Sequence, residues 1–447
     1  MAYSPGMSFF RLLSCGCALG LFAQTPGTLP PPVVPGVSSQ TAVVPPAAVS
    51  ISSAVNEALD KNLDLLAERY NLSISDTRMI TARLRPNPVF TTSGIYLPMF
   101  GSINSAGGAG PTEYNARVDF LIERGAKRQR RIDLANEDKH FAELGLRDTV
   151  RRITYDVESA FVDVLLAKEN LELAEDNLRA FQEIVKINSA RVDAGDLAKV
   201  ELSRTRVAAL QFDNAVRQAQ LQYQQSKVRL QQLMGRSTPV DTFDISGDMR
   251  RETPSVDLER VRSLAATRRP DLQSLRAAEA RSQADIRLQL AQGKIDFTVG
   301  TAYQYQYVGQ NLGTNNTMSV FVSAPLPVFN RNQGEIARAE RETNQWAARI
   351  RALQNVVESE VQNAWKQYQT SQGLLTNIET NMLDQAKDVR SITEYSYRRG
   401  EASLIEFLDA QRAFNDTMQS YNQARADYAR SLYLIDSITA REPGQPQ

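Results

Sequence analysis

Glu406 and Asp409 are the residues of this 447-residue chain whose types and spacing most suggest chemistry. On a helix, an i, i+3 spacing puts both carboxylates on one face. The plainer alternative is two solvated charges, with Asp409 paired to Arg412. Other reactive groups are scarce. His140 is the one histidine and lies inside a long helical pattern, which reads as a surface position. The two cysteines, Cys15 and Cys17, lie near the N-terminus. A thiolate or multi-histidine metal site is therefore not expected. There is no glycine-rich phosphate cradle, no hydrolase-type nucleophile turn and no nucleophile–base pair. These absences argue against an enzyme and against a bound cofactor. The 51 basic and 51 acidic residues cancel, so nothing favours nucleic acid as a partner.

The elements that would position Glu406 and Asp409 occur twice, about 205 residues apart. Arg191-Val192-Asp193-Ala194-Gly195-Asp196 leads to Val200 and Glu201. Tyr397-Arg398-Arg399-Gly400-Glu401-Ala402-Ser403 leads to Ile405 and Glu406. Gly195 and Gly400 each suit a turn between antiparallel helices. Lys127 to about Ala194 holds no proline, and Ile153, Val157, Phe161, Val164 and Leu171 recur at helical spacing. The pattern returns from about Lys199 to Met234. The second half repeats it over Gln333–Arg399 and Ser403–Ala440, which suggests coiled coils. Trp346 and Trp365 read as packing residues. Upstream, a helix is expected over Ile51–Leu84, stopped by Pro86 and Pro88. Its counterpart follows Pro270 and ends near Gly293.

Between these helices the period changes to two. Phe297, Val299, Thr301, Tyr303, Tyr305 and Tyr307 alternate with polar or small residues, as do Met318, Val320, Val322 and Ala324. The first half supplies strands near Val89–Leu97 and Asn115–Glu123, with Ala116, Val118, Phe120 and Ile122 on one face. The loops Phe100–Thr112 and Gly309–Asn316 are polar or glycine-rich. Four strands with a greasy face suit a membrane β-barrel but cannot close one, and an open edge in lipid leaves backbone groups unsatisfied. Three copies would supply twelve strands and a lumen. The paired helices, closed the same way, would form a tube.

The N-terminus reads as an export signal over residues 1–23, with Arg11 before the apolar Leu12–Ala23. A lipoprotein-type cut before Cys15 is the other reading. Residues 24–50 form a proline-rich linker. Two repeats follow at 51–235 and 255–440, joined by a linker at 236–254, with a tail at 441–447. Beyond the N-terminus no apolar run is long enough for a transmembrane helix.

Both repeats resemble the TolC family of outer-membrane efflux proteins, over about residues 51–440. The similarity is carried by Gly400-Glu401-Ala402-Ser403-Leu404-Ile405-Glu406-Phe407-Leu408-Asp409-Ala410-Gln411-Arg412. Pro325-Leu326-Pro327-Val328-Phe329-Asn330-Arg331-Asn332-Gln333-Gly334-Glu335-Ile336 is similar to the heavy-metal, CzcC-like branch. The resemblance implies an α+β membrane protein: a homotrimeric, twelve-stranded barrel in outer-membrane lipid, continued by a periplasmic helical tunnel. It implies an exit duct for small molecules or metal ions. The implied partners are a periplasmic adaptor and an inner-membrane pump of the RND type. Glu406 and Asp409 match the pore constriction. Glu201 and Tyr397 match contacts that hold the tunnel end closed, although one basic partner of that pattern is replaced by Ala402. The exposed tips, Arg191, Gly195, Asp196, Arg399, Gly400, Glu401 and Ser403, would dock the adaptor. A soluble periplasmic coiled-coil scaffold without a pore is the alternative.

Overall fold

The computed structural model describes residues 48–95, 97, 112–254, 256–307 and 314–441. The expected signal segment, most of the linker that follows it, residues 442–447 of the tail and the strand-connecting residues 98–111 and 308–313 lie outside them. Each repeat runs through two short helices, two strands and a long helical hairpin. The first comprises α1 (Ile51–Lys61), α2 (Leu63–Arg83), β1 (Val89–Ile95), β2 (Glu113–Ile122), α3 (Lys127–Ala194) and α4 (Lys199–Leu233). The second comprises α5 (Leu258–Arg268), α6 (Pro270–Gln292), β3 (Phe297–Tyr307), β4 (Thr314–Ser323), α7 (Gln333–Asn377), α8 (Leu383–Arg399) and α9 (Leu404–Ile438).

Two expectations need correction. The pattern over Ile51–Leu84 is two helices, because Asn62 leaves the helical region with ψ 126 and its side chain caps the N–H groups of Asp64 and Leu65. Asn62 Nδ2 also donates to Leu233 O at 3.1 Å, which joins the start of α2 to the end of α4. Gly235 makes that junction possible. Its φ is +78°, and a Cβ there would stand 2.5 Å from Lys61 O. The second long helix is also interrupted. A π-turn over Ile378–Met382 separates α7 from α8, whereas α3 runs unbroken for 68 residues, about 100 Å at 1.5 Å per residue.

The strands form one antiparallel sheet in the order β1-β2-β3-β4. Its register puts Ala116 beside Tyr303 and Tyr303 beside Met318; Val118, Thr301 and Val320 make the next row. This face is apolar, and Phe120, Tyr303, Met318, Val320 and Val322 are exposed on it. The other face is polar. Glu113 accepts from Gln304 at 2.9 Å and Gln306 at 2.6 Å, and Arg117 pairs with Asp119 at 2.8 Å. Below the sheet, Lys127 Nζ reaches Asp296 at 2.6 Å and Lys294 O at 2.8 Å. That buried cation ties the start of α3 to the start of β3.

The helices pack in a row. α4 lies on α3, α3 on α9, and α9 on α7 and α8. Nearer the sheet, α2 and α6 flank α3, and α6 meets α7. The main core joins the repeats, with Val157, Phe161 and Val164 of α3 against Ala426, Ala429 and Tyr433 of α9. Trp346 and Trp365 are half-buried. His140 is exposed, 3.8 Å from Glu143.

Candidate functional site

The two hairpin turns are built alike. Gly195 adopts φ +87° and Gly400 φ +82°, with open space where a Cβ would stand. Glycine is needed there for its backbone freedom, not for lack of room. In each turn the chain closes back on the helix: Asp196 N–H donates to Arg191 O at 2.8 Å and Glu401 N–H to Ser396 O at 2.9 Å.

The helices that leave the turns differ. α4 starts at Ala198 with no side-chain cap. α9 starts with a reciprocal cap between Ser403 and Glu406. Ser403 N–H donates to Glu406 Oε2 at 2.7 Å, and Glu406 N–H to Ser403 Oγ at 3.3 Å. The Ser403 backbone N–H, and then its hydroxyl, hold the Glu406 carboxyl below its ordinary range. Glu406 therefore both caps α9 and keeps its charge. Asp409 stands one turn further on, exposed, 3.4 Å from Arg412. Asp416 continues the exposed acidic stripe at helical spacing.

Tyr397 and Glu201 part company. Glu201 pairs with Arg204 on its own helix at 2.8 Å. Tyr397 is buried, and its hydroxyl accepts from Asn188 Nδ2 at 2.6 Å. Asn188 is fully buried and also donates to Thr205 Oγ1 at 2.8 Å. One amide thus links α3, α4 and α8. Arg191 adds a second link, donating to Arg398 O at 2.5 Å and Tyr397 O at 3.5 Å. Its cation sits at the C-terminal end of α8, where the helix dipole favours it. Above lies a layer of rings: Phe212 on Phe181 at 4.3 Å, Phe181 on Phe407 at 5.4 Å, and Phe407 on Tyr397 at 5.3 Å.

Sequence reasoning overlooked Asn188, and one signal was present. Phe181, Ile184 and Asn188 follow i, i+3, i+7 spacing, so the amide occupies a core position on an otherwise apolar stripe. The remaining tip residues Asp196, Arg399, Glu401 and Ser403 are exposed. Arg399 lies over the Tyr395 ring at 4.6 Å.

A second polar cluster lies where α3 crosses the 245–254 segment and the end of α9. Arg250 binds Asp436 at 2.7 Å and Glu252 at 3.0 Å, and lies over Tyr433 at 4.7 Å. Beside them Glu158 faces a groove of about 1120 Å³, walled by Val55, Val150, Tyr155 and Tyr433. Burial, and next the charge of Asp436, push the Glu158 carboxyl up to about 7, against the pull of Arg250. Among the described residues no group of three or more His, Cys, Asp or Glu side chains is placed to hold a metal ion. No described helix is long and apolar enough to cross a membrane.

This architecture is shared with known proteins. The family model described as "Outer membrane efflux protein" matches residues 54–236 and 261–440. The cobalt-zinc-cadmium resistance protein CzcC of Cupriavidus metallidurans is 23% identical over 399 residues, covering 88% of this chain and 90% of its own. The outer membrane efflux protein BepC of Brucella suis is 23% identical over 412 residues, covering 88% and 85%. The Campylobacter jejuni CmeC outer membrane channel superposes with a TM-score of 0.73 at 13% identity, covering 87% of this chain and 85% of that one. The chain belongs to the outer membrane efflux protein family, as a TolC-like channel protein of the outer membrane with its helical part in the periplasm.

Proposed function

We propose that the protein is a passive exit duct of a tripartite efflux system, assembled as a homotrimer around one pore. The observation that carries this reading is the set of open edges. β1 and β4 each have one unpaired edge among the described strands. A sheet with an exposed apolar face and two open edges is unstable in lipid unless it closes. A three-fold axis closes it with twelve strands, the polar face of Glu113, Gln304 and Gln306 lining the lumen. The helical row ends in the same way, with α4 on one side and α8 on the other.

At the far end of the helices, Val200 and Ile405 are exposed one turn beyond Gly195 and Gly400. Apolar residues repeated at equivalent positions of two tips suit a protein partner. They support docking of a periplasmic adaptor at Arg191, Asp196, Arg399, Glu401 and Ser403, with an inner-membrane pump of the RND type supplying energy. Similarity to a cobalt-zinc-cadmium resistance protein supports metal ions as one cargo class, alongside small molecules. The soluble scaffold alternative does not fit a chain of an outer-membrane family.

Glu406 and Asp409 form the constriction in this reading, six carboxylates in three copies. Purified protein in planar bilayers should conduct in discrete steps and favour cations. Glu406→Gln with Asp409→Asn should lower the cation-to-anion permeability ratio several-fold, as expected for a pore charge ring. Unchanged selectivity would remove both residues from the constriction, and absence of conductance in the unaltered protein would remove the duct.

A further inference from the structure

Where the sheet meets the helices, exposed cations gather without carboxylate partners. Arg124 continues the alternation of Phe120 and Ile122, and Ile122 pairs with Phe297 on the apolar face. The Arg124 guanidinium lies over the Phe297 ring, 5.1 Å from its centre. Arg128, in the first turn of α3, donates to Arg83 O at 2.7 Å. A Cβ on Gly125 would stand 2.7 Å from Lys294 Cδ, and one on Gly293 would stand 2.7 Å from Arg331 O. Arg83, Arg124, Arg128, Lys294 and Arg331 therefore form one belt, drawn from the end of α2, the start of α3 and the turns beside β2, β3 and β4. All of them are exposed. The acids of those turns are engaged elsewhere among the described residues: Glu123 by Arg131, and Asp296 by Lys127 and by the Arg124 N–H. The whole chain has 51 basic and 51 acidic residues, so this surplus is local.

On the sheet side of the belt the surface is apolar. Leu326 is 82% exposed and Phe329 92% exposed, with Val328 and Leu84 also exposed. Arg331 Nε donates to Pro327 O at 3.2 Å, which holds its cation beside this apolar turn. Apolar side chains followed by cations match the order of a lipid leaflet, from acyl chains to phosphates.

We propose that the belt binds the phosphate groups of anionic phospholipid in the periplasm-facing leaflet of the outer membrane. Leu326, Val328 and Phe329 then sit among the acyl chains. The helical part lies in the periplasm, and the belt is at the helical end of the sheet, so this leaflet is the one it meets. Crowded like charges repel one another. A phosphate surface removes that repulsion and accepts charge-assisted hydrogen bonds from the guanidinium groups. The arrangement also fixes depth. Deeper insertion would carry the cations into hydrocarbon, and shallower insertion would strip the Phe329 ring out of it. Every residue involved belongs to one chain, so the inference stands apart from the trimeric duct.

The test uses full-length protein in phosphatidylcholine vesicles containing trace spin-labelled lipid. At low salt the protein should immobilise labelled phosphatidylglycerol about fivefold better than labelled phosphatidylcholine, the preference expected when one cation meets a headgroup. The preference should fall as salt rises. Arg124→Gln with Arg331→Gln should bring the ratio close to one, and Arg124→Lys with Arg331→Lys should keep most of it. Arg206→Gln with Arg351→Gln removes exposed cations of α4 and α7 away from the sheet and should leave the ratio unchanged. Equal immobilisation of the two lipids by the unaltered protein overturns the proposal without recourse to any variant. An unchanged ratio in the belt variant, or an equal loss in the control variant, also overturns it.

Discussion

Replacing Asn188 with leucine should open the periplasmic end of the channel. The buried amide donates to Tyr397 Oη at 2.6 Å, which joins the second hairpin to the first, and to Thr205 Oγ1 at 2.8 Å within the first hairpin. Leucine keeps the volume but removes both donors. Losing the Tyr397 bond, and leaving that hydroxyl buried without its donor, costs about 1–3 kcal/mol. The Tyr397 contact is absent once the hairpins part, so this cost falls on the closed state, while the Thr205 bond within the first hairpin is lost from both states. With about 1.4 kcal/mol for each factor of ten, the open population should rise by one to two orders of magnitude. Single-channel recording should show this as a raised resting open probability. Tyr397→Phe keeps the stack on Phe407 and should give a smaller rise, about fivefold, from a loss of about 1 kcal/mol. If Asn188→Leu gates like the unaltered protein, the amide is only a core residue and the latch lies elsewhere. Ala402 stands where the resemblance implies a basic partner, and we propose that Asn188 and Arg191 make the latch in this chain.

Glu158→Gln should flatten the dependence of stability on pH. The folded protein raises the Glu158 carboxyl from 4.5 to about 7. Its stabilising contribution is therefore fully present below pH 4.5 and is lost as pH rises through about 7. The range corresponds to at most about 3 kcal/mol. Asp436, Glu252 and Arg250 face the same cluster, and Arg250 favours the charged form. Helical melting followed by circular dichroism should fall between pH 5 and pH 8 in the unaltered protein. In Glu158→Gln the two melting temperatures should converge, with the gain in stability at pH 8. An equal slope in both proteins would show that Glu158 does not titrate in this range.

Much of the fold was legible in the chain because periodicity survives without tertiary contacts. The change from helical spacing to alternation located all four strands, and Gly195 and Gly400 located both tips. The break at Asn62 was legible only by comparison. Pro270 marks it openly in the second repeat, and the matching Lys61–Leu65 stretch should have carried it to the first. The π-turn left no local signal, since Ile378–Met382 holds neither proline nor glycine.

The candidate site divided along the same line. An i, i+3 spacing is a property of one helix, so the shared face of Glu406 and Asp409 was readable from residue types alone. The family motif singled out Tyr397 but named no partner for it. Which donor meets its hydroxyl depends on how α8 lies against α3, 209 residues away in the chain. Glu158 is the extreme case. In the sequence it is one acid among many on a long helix. Packing against α9 and the 245–254 segment strips its water and sets Asp436 beside it. By itself, the sequence determined the repeat, the periods and the turns, because backbone preference and side-chain spacing act over a few residues. Tertiary structure alone decided which polar groups meet in the core and which carboxyl is held near neutrality, because desolvation and hydrogen bonding are set by neighbours distant in the chain.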